Sequence, residues 1–61
     1  MSINAVYVEL WVIHNSKEGY WNNHFGWGDY KELATKFTVD KKDTVNLPIV
    51  PEDSVTKWEK W

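Results

Sequence analysis

Residues 6–27 constrain the fold more than any other part of the chain. They contain two aromatic-rich runs on either side of a polar break, residues 15–19, that ends in glycine. In the first run both alternating sets of positions are apolar apart from Glu9, a pattern typical of a strand covered on two faces. The break begins with turn formers and ends where a short hairpin loop often needs positive φ. We therefore predict a β-hairpin whose first strand, residues 5–13, is the central strand of a sheet.

The second run, residues 19–27, alternates between a mostly aromatic and a mostly polar set of positions. This alternation predicts one half-buried strand with Trp21, Phe25 and Trp27 directed inward. The same mixture of rings and amides could also form a surface that faces a ligand.

Three short elements are predicted after the hairpin. Residues 29–32 have the form of a capping box, with an acid at the N-cap and Glu32 three positions later, which predicts a single helical turn. Residues 34–39 alternate apolar and polar side chains and predict a third short strand. Residues 40–46 begin with another acid and predict about two helical turns that end before Pro48.

Two interpretations of residues 54–61 remain open. Alternation places Thr56, Trp58 and Lys60 on one face of a strand, whereas residues 51–53 would make a good first turn of a helix. We favour the strand. The chain is then a single α+β domain, residues 1–61, with a small antiparallel sheet of three to four strands and one or two short helices on one face.

The size of the chain limits its core. A chain of 61 residues buries only about 60% of the surface that it exposes when unfolded. Cysteine is absent, so neither disulfides nor thiolate metal sites can stabilise it. Five Trp, three Tyr and two Phe must carry most of the packing, and self-association would cover any surplus apolar surface. We expect a homo-oligomer.

Charge and hydropathy disfavour several classes of partner. The formal net charge is -2 and every basic residue is lysine, whereas proteins that grip phosphate backbones usually present a basic face rich in arginine. We expect no direct contact with nucleic acid. Residues 1–8 are too short for a signal peptide or a membrane span. We expect no membrane contact and a cytoplasmic location.

Catalytic and metal-binding constellations are not evident. If the turn centres on Lys17, His14 faces Tyr20 and His24 faces Leu10, so the two imidazoles lie too far apart for one metal. Ser16 has no histidine placed to activate it. We expect neither enzymatic activity nor a cofactor.

Aromatic and asparagine side chains are the candidate binding residues. Trp and Tyr are the residues most often found as hot spots in protein interfaces, and exposed Trp with Asn amides can also stack on and hydrogen-bond to sugars. The ordinary alternative is that the Trp rings form the core. The candidates are Tyr20, Trp21, Asn23, Trp27, Trp58 and Trp61.

Part of the chain resembles a set of very small uncharacterised proteins common in phages and prophages. The residues that carry this resemblance are Trp21-Asn22-Asn23, Gly26-Trp27, Asp29, Ala34-Thr35-Lys36-Phe37-Thr38 and Asn46-Leu47-Pro48-Ile49. The chain departs from the pattern at residues 51–53, where a Gly-Gly turn is expected. The resemblance implies a compact antiparallel α+β domain.

Three functions are predicted on this basis. The first is a small phage-type interaction protein that binds and inhibits or modulates a host protein, for example a host defence component. Aromatic excess without catalytic motifs and the resemblance both favour it. The alternative is a carbohydrate-binding module that uses Trp21, Asn23 and Trp27. A structural or accessory component of a virion is a third function, which the same features favour as much as the first.

Overall fold

The computed structural model describes residues 8–50 and 52–61. Within them the elements are β1 Leu10–Asn15, β2 Gly19–Asn22, β3 Gly26–Gly28, a 3-10 turn Lys31–Leu33, β4 Phe37–Thr38, α1 Val39–Lys42 and β5 Thr56–Lys60. The strands form one antiparallel sheet in the order β3-β2-β1-β4, and β5 also pairs with β1. The prediction of a small antiparallel sheet with short helical segments is confirmed, with five strands rather than three or four.

β1 is the central strand, as predicted, because it pairs with three others. β5 pairs with it from Trp11 to Asn15 along one edge. The other edge is shared, since β4 pairs with its first two residues and β2 with its last two. β2 then diverges from β1, and the amide of Thr35 donates to the carbonyl oxygen of Trp21 at 3.0 Å. β1 begins at Leu10; the predicted start at residues 5–7 lies outside the described residues.

The core is small and lies along β1. Val12 and Ile13 are fully buried, and Ala34 and Phe37 are nearly so. Phe37 packs edge-on against Trp58, with ring centroids 5.3 Å apart. Trp58 stands directly opposite Ile13, so the two strands contribute to one apolar cluster.

The turn after β1 is stabilised by the side chain of Asn15. Its Oδ1 accepts hydrogen bonds from the amides of Lys17 and Glu18, both at 2.8 Å. Gly19 closes the turn with a φ of 96°, a conformation that side chains disfavour. The predicted hairpin between residues 15 and 19 is confirmed.

A second turn of the same design interrupts the predicted second strand. Asn22 Oδ1 accepts from the amides of His24 at 2.7 Å and Phe25 at 3.0 Å, and Gly26 has a φ of 78°. Residues 19–27 therefore form two strands, and the prediction of a single strand is wrong. The asparagine side chain satisfies backbone donors locally, which removes them from the strand ladder.

The helical segments differ from prediction in their caps. The 3-10 turn follows Tyr30, and no side chain caps it, so the predicted capping box of residues 29–32 is wrong. α1 is a single turn capped by Thr38, whose Oγ1 accepts from the amide of Lys41, and it is shorter than the predicted residues 40–46. The predicted third strand is confirmed but contains only two residues.

The two helical segments also lie on different faces of the sheet, not on one as predicted. Lys42 of α1 lies over the rings of Trp11 and Trp58, which share a face. Lys31 of the 3-10 turn pairs with Glu59, whose side chain alternates to the opposite face.

The C-terminal segment is a strand, as favoured, and Asn15 ties it to the first turn. Asn15 Nδ2 donates to Thr56 Oγ1 at 2.8 Å and to Ser54 Oγ at 3.0 Å. Ser16 adds two bonds to Val55: its amide donates to the Val55 carbonyl, and its Oγ accepts from the Val55 amide, both at 2.9 Å. The first turn is thereby fixed to β5.

Replacing Asn15 with alanine should destabilise the fold strongly. Each of its four hydrogen bonds contributes about 0.5–1.5 kcal/mol, and the buried site leaves little access for water, so we expect a loss of about 2–4 kcal/mol. Urea unfolding followed by Trp fluorescence measures this loss. Asn46→Ala, at an exposed position, is the control. Equal midpoints for the two variants would contradict the role given to Asn15.

The two turn glycines provide a matched pair. Both have positive φ, so alanine at either costs about 1–2 kcal/mol. A Cβ at Gly19 would also overlap the carbonyl oxygen of Gly28, whereas a Cβ at Gly26 meets open space. Gly19→Ala should therefore lower the urea midpoint more than Gly26→Ala. The reverse order would contradict the close contact between Gly19 at the start of β2 and Gly28 at the end of β3.

Candidate functional site: an aromatic groove on the second hairpin

An apolar groove lies between the β2–β3 hairpin and the 3-10 turn. It encloses about 170 Å³. Its lining includes four aromatic residues, one leucine and one aspartate. The lining residues are Tyr20, Asn22, Phe25, Gly26, Trp27, Gly28, Asp29, Tyr30 and Leu33. We refer to this set as the aromatic groove.

Three large side chains of the aromatic groove are exposed. Phe25 is 88% exposed, Leu33 67% and Tyr30 66%. Phe25 projects from the turn that joins β2 to β3, whereas Tyr30 directly precedes the 3-10 turn and Leu33 is its last residue. Apolar side chains that gather at one concave place are a feature of binding surfaces, whereas single exposed ones are ordinary.

Asn22 holds the two walls of the groove together. Its Oδ1 fixes the turn that carries Phe25, and its Nδ2 donates to the carbonyl oxygen of Leu33 at 2.6 Å. Thr35 adds a further link, because its Oγ1 accepts from the amide of Asn23 at 2.8 Å. The groove is therefore built on a hairpin whose turn has little freedom, which reduces the entropy lost when a partner binds.

The six predicted binding residues divide between three places. Tyr20 and Trp27 line the aromatic groove. Trp21 packs edge-on against Trp27 at 5.2 Å, and its Nε1–H donates to Asn23 Oδ1 at 2.8 Å. Trp21 and Asn23 thus lie beside the groove and bind each other.

Trp58 and Trp61 lie away from the groove. Trp58 packs on Phe37 in the apolar cluster of the sheet. Trp61 is half exposed, and the ammonium group of Lys36 lies 4.2 Å from the centre of its ring. The structure therefore brings two of the six predicted residues into one concave site.

The hydroxyl group of Tyr20 belongs to a small polar network with Glu59 and Lys31. The Tyr20 hydroxyl donates to Glu59 Oε2 at 3.1 Å, and Lys31 Nζ lies 3.0 Å from the same oxygen. The hydrogen bond from Lys31 is the main reason that the pKa of Glu59 lies below its ordinary value. Burial, followed by the contact with Glu59, raises the pKa of Tyr20. The ring of His14 packs on Tyr20, with centroids 4.6 Å apart.

The histidines are separated in the described part of the chain. His14 pairs with Tyr20, as predicted. His24 lies in the second turn beside Phe25 and not opposite Leu10, because the predicted long strand is divided there. Within residues 8–50 and 52–61, no three His, Asp or Glu side chains lie close enough together to hold one metal ion. Over the same ranges, no helix has the length and apolar character needed to span a membrane.

Sequence reasoning missed several residues of the groove. Phe25 was predicted to point inward, which is wrong. Asn22, Tyr30 and Leu33 were not among the six predicted binding residues. The signal that could have found Asn22 and Phe25 is a repeat of Asn-x-x-x-Gly seven residues apart, at positions 15–19 and 22–26. Applied twice, this turn pattern places Phe25 at a hairpin tip.

Comparisons with known proteins give no relative from which a function could be inferred. No family model matches the chain, and neither the curated proteins nor the solved structures contain a match. The geometry of the chain's own residues therefore carries the functional argument.

The Tyr20–Glu59–Lys31 network predicts a pH dependence of stability. Because the pKa of Glu59 is lower in the folded state, its contribution is complete above the unfolded value of about 4.3 and is lost as the pH falls through the folded value. Glu59→Gln should flatten this acid limb, measured as urea midpoint against pH. It should also lower the pKa of Tyr20 in an ultraviolet titration. Glu52→Gln, at an exposed position, is the control, and identical profiles for the two variants would contradict the assignment.

Proposed function

We propose that this chain is a small interaction protein that binds a partner protein through the aromatic groove. The observation that carries the proposal is the convergence of Phe25, Tyr30 and Leu33, all exposed, on one apolar groove. Aromatic side chains dominate the binding energy of many protein interfaces, particularly where they surround a site that a partner can desolvate. The fixed turn that carries Phe25 adds to this case.

The partner that we propose is a host protein, which the chain inhibits or modulates. The resemblance to small phage and prophage proteins supports this part of the proposal. A second copy of the chain could also occupy the groove, because a thin core leaves apolar surface to cover. The two partners are distinguished by whether the groove variants change the association state of the chain alone.

A carbohydrate partner has weaker support. The predicted sugar-binding set required Trp21, Asn23 and Trp27 to act together. Trp21 instead donates its indole proton to Asn23 Oδ1, so that acceptor is already engaged within the protein. The structure therefore offers less support for glycan binding than for protein binding.

Alanine at Phe25 and Tyr30 should abolish capture of the partner while leaving the fold intact. Both side chains are mostly exposed, so their removal costs little stability, whereas loss of two interface anchors of about 2 kcal/mol each weakens binding by roughly a thousandfold. The chain is tagged at Met1 and used for pull-downs from host-type lysate, with bound proteins identified by mass spectrometry.

The matched control is Ile49→Ala, which removes a fully exposed apolar side chain outside the groove. It should retain wild-type capture. Equal recovery by the wild-type chain, the double variant and the control would exclude the groove as the binding surface. Sedimentation of the same variants reports self-association. A shift of Trp fluorescence on addition of soluble glycans, without any protein capture, would favour the carbohydrate alternative.

A further inference from the structure

Lysine ammonium groups already cover several of the tryptophan rings. Lys36 lies 4.2 Å from the ring centre of Trp61. Lys42 lies 4.9 Å from that of Trp11 and 5.7 Å from that of Trp58. Cations within about 6 Å of a ring centre are attracted by its negative face. The chain therefore supplies its own cations to these three rings.

The rings of the aromatic groove carry no such cation. Within residues 8–50 and 52–61, no lysine ammonium lies over Tyr20, Phe25, Trp27 or Tyr30. Lys31 is nearby in the sequence but is held elsewhere: its Nζ pairs with Glu59 and donates to the carbonyl oxygen of Lys60 at 3.1 Å. Phe25 and Tyr30 are mostly exposed, so their ring faces are available to a cation from outside, whereas Trp27 packs on Trp21 and Tyr20 packs on His14.

The charge of the groove favours the same occupant. Asp29 lines the groove, is exposed, and makes no ion pair with any described residue. The chain as a whole is acidic, with a formal net charge of -2. A carboxylate beside several aromatic rings is a suitable environment for an alkylammonium group, because the rings accept its methylene groups while the carboxylate attracts its charge.

We propose that the aromatic groove receives a lysine side chain from a basic surface of the partner protein. This inference rests on the proposed function and specifies the chemistry of the partner. The ammonium group lies between the aromatic rings and Asp29, and the methylene stem packs against the apolar wall at Leu33. The acidic net charge of the chain speeds the approach of such a surface.

Titration with short peptides tests this proposal directly. The ¹⁵N-labelled chain is titrated with acetyl-Gly-Lys-Gly-amide and with analogues that carry norleucine or arginine in place of lysine. The lysine peptide should shift the amides of Phe25, Gly26 and Gly28. The norleucine peptide, which lacks the charge, should bind about two- to fivefold more weakly, the range set by an exposed cation–π contact. Equal binding of the two, or no shift with lysine up to its solubility limit, would overturn the proposal. Stronger binding of the arginine peptide than of lysine would overturn the choice of lysine.

Two variants separate charge from apolar contact. Asp29→Asn should reduce the preference for lysine over norleucine, whereas Asp40→Asn removes the same charge from α1, outside the groove, and should leave it unchanged. Phe25→Leu keeps apolar surface but removes a ring face, so it should weaken the lysine peptide and not the norleucine peptide. A uniform loss for both peptides would indicate an apolar groove without selectivity for cations.

The result is distinguishable from failure of the proposed function. Partner capture that depends on Phe25 and Tyr30, combined with equal binding of lysine and norleucine, would retain the protein-binding groove and reject its cationic occupant. Selective lysine binding without dependence of capture on these residues would reject the groove as the partner's docking surface.

Discussion

The rest of the structure depends on the hydrogen bonds of one buried side chain, that of Asn15. A buried amide is costly unless its donors and acceptor are satisfied, and here both ends are used. The oxygen accepts the two hydrogen bonds that stabilise the turn between β1 and β2. The nitrogen donates to Ser54 and to Thr56 at the start of β5. One side chain thus connects the local geometry of a turn to a pairing between distant parts of the chain. Among the described residues Val12 and Ile13 are the fully buried apolar ones, and a fully satisfied buried polar group favours one arrangement of the strands around them.

The division of one edge of β1 determines where the groove forms. β4 pairs with one end of that edge and β2 with the other, so β2 diverges after its first residues. The divergence carries the second hairpin away from the apolar cluster and leaves a space that the segment around the 3-10 turn covers only in part. Asn22 bridges that space to the carbonyl of Leu33. The groove is therefore a consequence of the sheet topology rather than an irregularity of a loop.

The central strand, the first hairpin and the strand nature of the tail could be predicted because apolar alternation and turn residues are local signals. The second turn was missed because the aromatic alternation over residues 19–27 is also compatible with a continuous strand, and the repeated Asn-x-x-x-Gly pattern was not used. In the structure the side-chain hydrogen bonds of Asn22 form the turn. The predicted cap of α1 was wrong because more than one nearby side chain could serve: Thr38, and not Asp40, accepts the hydrogen bond from the amide of Lys41. Among the candidate site residues, composition identified Tyr20 and Trp27, and the repeated turn pattern could have placed Phe25, whereas the position of Tyr30 and Leu33 depends on tertiary contacts that no periodicity encodes.

The two asparagine turns have a consequence for the order of folding. They join β1, β2 and β3 through neighbouring residues, and hairpins of this kind close in about 1–10 μs. The contact between Asn15 and Thr56 spans 41 residues and must close a large loop before it stabilises anything. Because folding slows as contact order rises, we expect the β1–β5 pairing to contribute most to the folding barrier, whereas the hairpins that carry most of the groove involve local contacts. We therefore expect the two hairpins to form before β5 joins the sheet.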